Sequence, residues 1–118
     1  MLAFTHLSAG SFHTCALDVA NRVSCWGYDA DGQISAIPAG TFDAIDAGQS
    51  HNCGLATDGS LTCWGAMGTS LDYGQVTETP GGSFIAISTG TSHSCAISQG
   101  GTLACWGRDH IDQVSGAP

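Results

Sequence analysis

Histidine, cysteine and tryptophan recur in this chain at one spacing, and each of the three is capable of chemistry. Gly-x-x-His-x-Cys is followed, ten residues after its cysteine, by Cys-Trp-Gly, and the whole pattern occurs three times. His13, His51 and His93, the pairs Cys15/Cys25, Cys53/Cys63 and Cys95/Cys105, and Trp26, Trp64 and Trp106 therefore hold equivalent places. Imidazole and thiolate are common zinc ligands, imidazole is the side chain best suited to proton transfer near neutral pH, and an indole face can stack on a sugar. The cysteine spacing lacks the close Cys-Cys knuckle of zinc sites, which favours disulfides. A motif repeated in every unit follows from packing alone, so the histidines are read as structural hydrogen-bonding groups and the tryptophans as packing residues. No metal ligand set and no catalytic residue is assigned.

The elements that carry these residues follow from the register. Gly10 to Gly48 is 38 residues and Gly48 to Gly90 is 42, and each linker ends in a proline four residues before a phenylalanine, Pro38 to Phe42 and Pro80 to Phe84. A second copy of the chain following Pro118 would bring its Phe4 in at the same offset. The chain thus reads as three whole repeats, approximately 1–38, 39–80 and 81–118, within one propeller segment spanning 1–118. A repeat of about 40 residues cannot bury its own apolar faces, so the units must stack.

Within each unit the cysteines bracket an alternating segment with turn residues at its centre. Pairing cysteine with cysteine leaves a three-residue loop whose third position wants a left-handed backbone, and that position is Asn21, Gly59 or Gly101. Leu17/Val23, Leu55/Leu61 and Ile97/Leu103 then face one another, with Cys15–Cys25, Cys53–Cys63 and Cys95–Cys105 as the next pairs on that side, close enough for disulfides. Each histidine falls opposite a glycine, Gly27, Gly65 or Gly107, which leaves room for the ring. The other face carries Ala16/Ser24, Gly54/Thr62 and Ala96/Ala104, so a bulky face alternates with a small one, as stacked sheets require. A first strand such as Phe84–Thr89 and a run after Gln33, Gln75 or Gln113 bring each unit to four expected strands. The fold class is all-β, with three mostly four-stranded propeller blades.

Ala9-Gly10-x-x-His13-Thr-Cys15-Ala-Leu17, Cys25-Trp26-Gly27 and Gly32-Gln33 resemble the repeat of the regulator of chromosome condensation family, which includes the bacterial β-lactamase-inhibitor protein II. The cysteine-bearing form is similar to repeats of secreted bacterial proteins. The resemblance covers the whole chain and implies a propeller that recognises protein. Asp112 departs from it, standing where the other repeats have the glycine of Gly-Gln. A WD-type propeller is the other candidate fold, but glycine follows tryptophan in all three copies.

Composition narrows the partners. Two arginines, no lysine and ten acidic residues give a net charge of −8, which opposes binding to nucleic acid and to anionic lipid. No apolar stretch is long enough for a membrane helix, and Met1-Leu2-Ala3-Phe4 reads as a first strand and lacks the features of a signal peptide. Six cysteines at one spacing point to an oxidising compartment, secreted or periplasmic, with the export signal not present in this chain.

Three blades cannot close a ring, and an open arc would leave one bulky and one small face bare. A head-to-tail homodimer would give six blades, and a trimer would give nine, outside the usual range. The segments after each Trp-Gly escape the repeat and are the candidate binding loops: Tyr28, Asp29 and Asp31; Met67, Asp72 and Tyr73; Arg108, Asp109 and His110. Tyr28 to Gly32 contains part of a calcium loop without the full twelve-residue pattern. The sequence is therefore read as a non-enzymatic, self-assembling protein-recognition module that needs no cofactor. A glycan-binding lectin and a propeller fragment with no ligand of its own are the alternatives.

Overall fold

The computed structural model describes residues 3–66, 74–109 and 111–118 and contains nine strands in three antiparallel sheets. The first sheet is β1 (Phe4–Ala9), β2 (His13–Asp18) and β3 (Val23–Gly27); the second is β4 (Phe42–Ala47), β5 (His51–Ala56) and β6 (Leu61–Gly65). The third is β7 (Phe84–Thr89), β8 (His93–Ser98) and β9 (Leu103–Gly107). Strand order within every sheet is sequential, so each repeat is a three-stranded meander.

Register follows the turn chemistry. Asp18 N donates to the Arg22 carbonyl at 3.0 Å and Asn21 N to the Asp18 carbonyl at 2.9 Å, closing the three-residue loop with Asn21 at φ 63°. Gly59 and Gly101 take the same place at φ 90° and 89°. Outward from these loops Leu17 opposes Val23, Cys15 opposes Cys25 and His13 opposes Gly27, with the equivalent pairs in the other two sheets. The three disulfides form as the pairing requires, across Cα separations of 4.1, 4.0 and 4.0 Å.

Each first strand carries a register shift just after its phenylalanine, between Phe42 and Ala44 in the second sheet. A bulge inserts one residue into the alternation, so two side chains three apart come to one face. Phe42 and Ile45 thereby share the small face of their sheet, where the Phe42 ring lies over Gly54 in the space a Cβ would take. Together with Trp64 they pack against Cys15, Leu17, Val23 and Cys25 of the preceding sheet. Phe84, Ile87 and Trp106 repeat the arrangement against Cys53, Leu55, Leu61 and Cys63.

One expectation is corrected. The run after each Gly-Gln is a single helical turn and forms no fourth strand: Ala36 N donates to the Gly32 carbonyl, Glu78 N to Gly74 and Gly116 N to Asp112, at 3.2, 2.9 and 2.9 Å. A left-handed residue starts each turn, Gly32 at φ 80°, Gly74 at 98° and Asp112 at 64°. Aspartate reaches this region more readily than most non-glycine residues, which explains how Asp112 replaces the glycine. In the first and third repeats the turn's free N–H groups are capped by aspartate. Asp29 Oδ1 accepts from Ile34 N and Ser35 N at 2.8 and 2.9 Å, and Asp109 Oδ1 accepts from Val114 N and Ser115 N at 2.9 Å each.

Candidate functional site

Two regions gather the residues singled out by the sequence: the contact between successive blades, and the rim where each β3-type strand leaves its sheet. At the blade contact the repeated histidine reaches across to the next repeat. His13 Nε2 lies 2.7 Å from Asn52 Oδ1, and His51 Nε2 lies 3.0 Å from Ser94 Oγ. Both rings are buried, and Gly10 and Gly48 pack so closely on them that a Cβ would clash, which accounts for the Gly-x-x-His spacing. The tryptophans reach the other way. Trp64 Nε1 and Asn52 Nδ2 both donate to the buried Gln33 carbonyl, at 3.1 and 3.0 Å, and Trp106 Nε1 donates to the Gln75 carbonyl at 2.8 Å. A carboxylate ties the first strands together: Asp46 accepts from Ser8 Oγ at 3.0 Å and from Thr89 N at 2.7 Å.

The terminal sheets lack one side of this contact. Trp26, expected to be buried like its equivalents, is 51% exposed, because no described sheet packs against the outer face of β1–β3. Phe4 and Leu7, equivalents of Phe42 and Ile45, are 50% and 72% exposed on that face. At the other end Cys95, Ile97 and Leu103 line an apolar groove of about 320 Å³ on the bulky face of the third sheet. These are the positions that in the first two sheets receive the neighbour's phenylalanine and tryptophan.

This geometry of repeated meanders joined by a His–polar and a Trp–carbonyl bond coincides with one family model, the regulator of chromosome condensation (RCC1) repeat, which matches residues 4–33, 42–75 and 84–110. The chain belongs to the RCC1 repeat family. Each matched span runs from the first-strand phenylalanine to the Gly-Gln turn or its approach. Among solved structures sharing this RCC1 fold is the ectodomain of the Physcomitrella patens receptor kinase CR4, with 30% identity and a TM-score of 0.75 over 88% of this chain and 29% of that one. Prp20p, the RCC1 protein of Saccharomyces cerevisiae, superposes with a TM-score of 0.76 at 21% identity, over 98% of this chain and 35% of that one. Human WBSCR16 gives 0.74 at 16% identity, over 94% and 36%. The chain spans about a third of the length of these RCC1-fold proteins. A search of the curated proteins finds no match.

At the rim, the variable residues divide. Asp29 and Asp109 are occupied as caps, and the Asp29 carboxyl is held below the usual carboxylate range by the backbone N–H groups of Ser35 and Ile34. Tyr28 and Asp31 meet Phe12, Gln49 and Ser50 around a cleft between the first two blades. Phe12 was not among the expected binding residues, although it alone breaks a position that is Ser50 and Ser92 in the other repeats. Arg108 lies beside Ile111 and Gln113 at the open side of the third blade. Met67, Asp72, Tyr73 and His110 fall outside the described residues. Among the described residues no three His, Cys, Asp or Glu side chains converge as a metal site would need.

Proposed function

We propose that the chain is a non-enzymatic protein-recognition module that completes its propeller by pairing head to tail with a second copy, giving six blades. One observation carries the reading: the two bare faces are the two halves of the contact already made twice within the chain. Phe4, Leu7 and Trp26 correspond to Phe42, Ile45 and Trp64, and the groove of Cys95, Ile97 and Leu103 corresponds to the surface of Cys15, Leu17 and Val23. In such a ring Trp26 would donate to the Gln113 carbonyl of the second copy, and His93 would meet its Thr14, the position held by Asn52 and Ser94 in the other repeats. Covering these apolar faces is the driving force. Recognition of protein accords with the yeast relative Prp20p, which binds Gsp1p and histones. Three disulfides and the occurrence of the same repeats in a receptor ectodomain support an oxidising, extracellular or periplasmic setting.

Polarity gives the test. Leu7→Asp spoils one face and Leu103→Asp the other, so each variant alone should be a monomer by light scattering. Mixed one to one, they retain one intact junction and should form an open heterodimer of twice the 12.0 kDa protomer mass. Either variant dimerising alone, or the mixture staying monomeric while the unmutated chain dimerises, would contradict head-to-tail pairing.

A further inference from the structure

The cleft of about 300 Å³ between the first and second blades holds a carboxylate, that of Asp31. Asp31 is only 9% exposed, and among the described residues its side chain accepts no hydrogen bond. Its backbone is fixed: Asp31 N donates to Gln33 Oε1 at 2.9 Å, as Ile111 N donates to Gln113 Oε1 at 2.9 Å in the third repeat. The glutamine thus presents the side chain that stands two residues before it, Asp31 in the first repeat and Ile111 in the third.

Burying a carboxylate is unfavourable unless a cation or several donors meet it. The chain has no lysine and only two arginines. Arg22 is spent on Asp18 at 3.1 Å, and Arg108 lies two repeats away beside Ile111. Any lysine or arginine that pairs with Asp31 at the mouth of this cleft therefore comes from another molecule. The cleft's walls suit one. Phe12 and Tyr28 stand edge to face, ring centroids 6.0 Å apart, and are 63% and 51% exposed, while Gln49 and the buried Ser50 complete the lining. Aromatic faces attract a guanidinium or ammonium group, and a net charge of −8 draws basic partners toward the surface.

These residues are not demanded by the fold. Phe12, Tyr28 and Asp31 are replaced by Ser50, Ala66 and Tyr73 in the second repeat and by Ser92, Arg108 and Ile111 in the third. Three independent departures from the repeat converge on one cleft. We infer that this cleft binds a basic side chain, arginine or lysine, of a partner protein, with the charge on Asp31 and the stem against Phe12 and Tyr28. The inference rests on the reading of the chain as a protein-recognition module, and it does not depend on how the ring closes.

Titration with N-acetyl-arginine methylamide, followed by backbone and aromatic NMR shifts, should show saturable, millimolar binding at residues 12, 28 and 31. The neutral isostere N-acetyl-citrulline methylamide should bind about tenfold more weakly. Asp31→Asn should abolish that discrimination, and Tyr28→Ala, at an exposed position, should weaken the arginine probe by about three- to tenfold. The site is refuted if the arginine probe does not saturate, if citrulline binds equally well, or if a methyl glycoside saturates these resonances and arginine does not. Oligomeric mass measured on the same samples separates this outcome from a failure of ring closure.

Discussion

Trp26 and Trp64 occupy the same repeat position, yet they do different work. Trp64 is 4% exposed, packs 6.0 Å from the Phe42 ring and donates to Gln33, so its removal leaves a cavity and takes away one of the two donors to that carbonyl. Trp64→Ala should destabilise the folded chain by about 3–5 kcal/mol in denaturant titrations. Trp26→Ala should cost far less in a dilute monomer and should instead raise the dissociation constant of the pair. Equal losses of monomer stability would mean that Trp26 is already packed without a second copy. At this scale the sequence was informative about type and blind to surroundings. From the repeat all three tryptophans read as packing residues; Trp64 and Trp106 are buried, whereas Trp26 is exposed because the side of the sheet left uncovered depends on where the first repeat stands.

At the scale of elements, the hairpins were legible because two unrelated constraints coincide. Cysteine pairing demands one register, and Asn21, Gly59 and Gly101 demand the same one through their left-handed backbones. The run after each Gly-Gln was not legible. Gln33-Ile34-Ser35-Ala36 alternates as a strand would, and the turn it forms is dictated by the Asp29 cap and the left-handed Gly32, which act over several residues. The disulfides clip single meanders and bridge no two blades. Replacing Cys53 and Cys63 together by serine should therefore lower stability by about 2–3 kcal/mol without altering the mass of the assembly. Loss of assembly in a variant that remains folded would show that the clip shapes the blade face itself.

For the whole molecule, three blades measuring 44 × 34 × 19 Å form an open arc with complementary ends. The internal contacts show what each end requires, and in the proposed pairing a second copy supplies it. In the proposed reading binding belongs to the rim, where Phe12, Tyr28 and Asp31 depart from the repeat while the scaffold beneath them keeps to it. The pattern of departures was visible in the sequence for Tyr28 and Asp31. Phe12 was passed over, although the register that sets His13 against Gly27 makes Phe12 and Tyr28 the next pair outward, where Tyr28 N donates to the Phe12 carbonyl at 2.9 Å. Ring closure by a second copy is the central claim, and sedimentation equilibrium of the unmutated chain at micromolar concentration tests it most directly. The account predicts a particle of twice the 12.0 kDa protomer mass, and a particle of one protomer mass would contradict it.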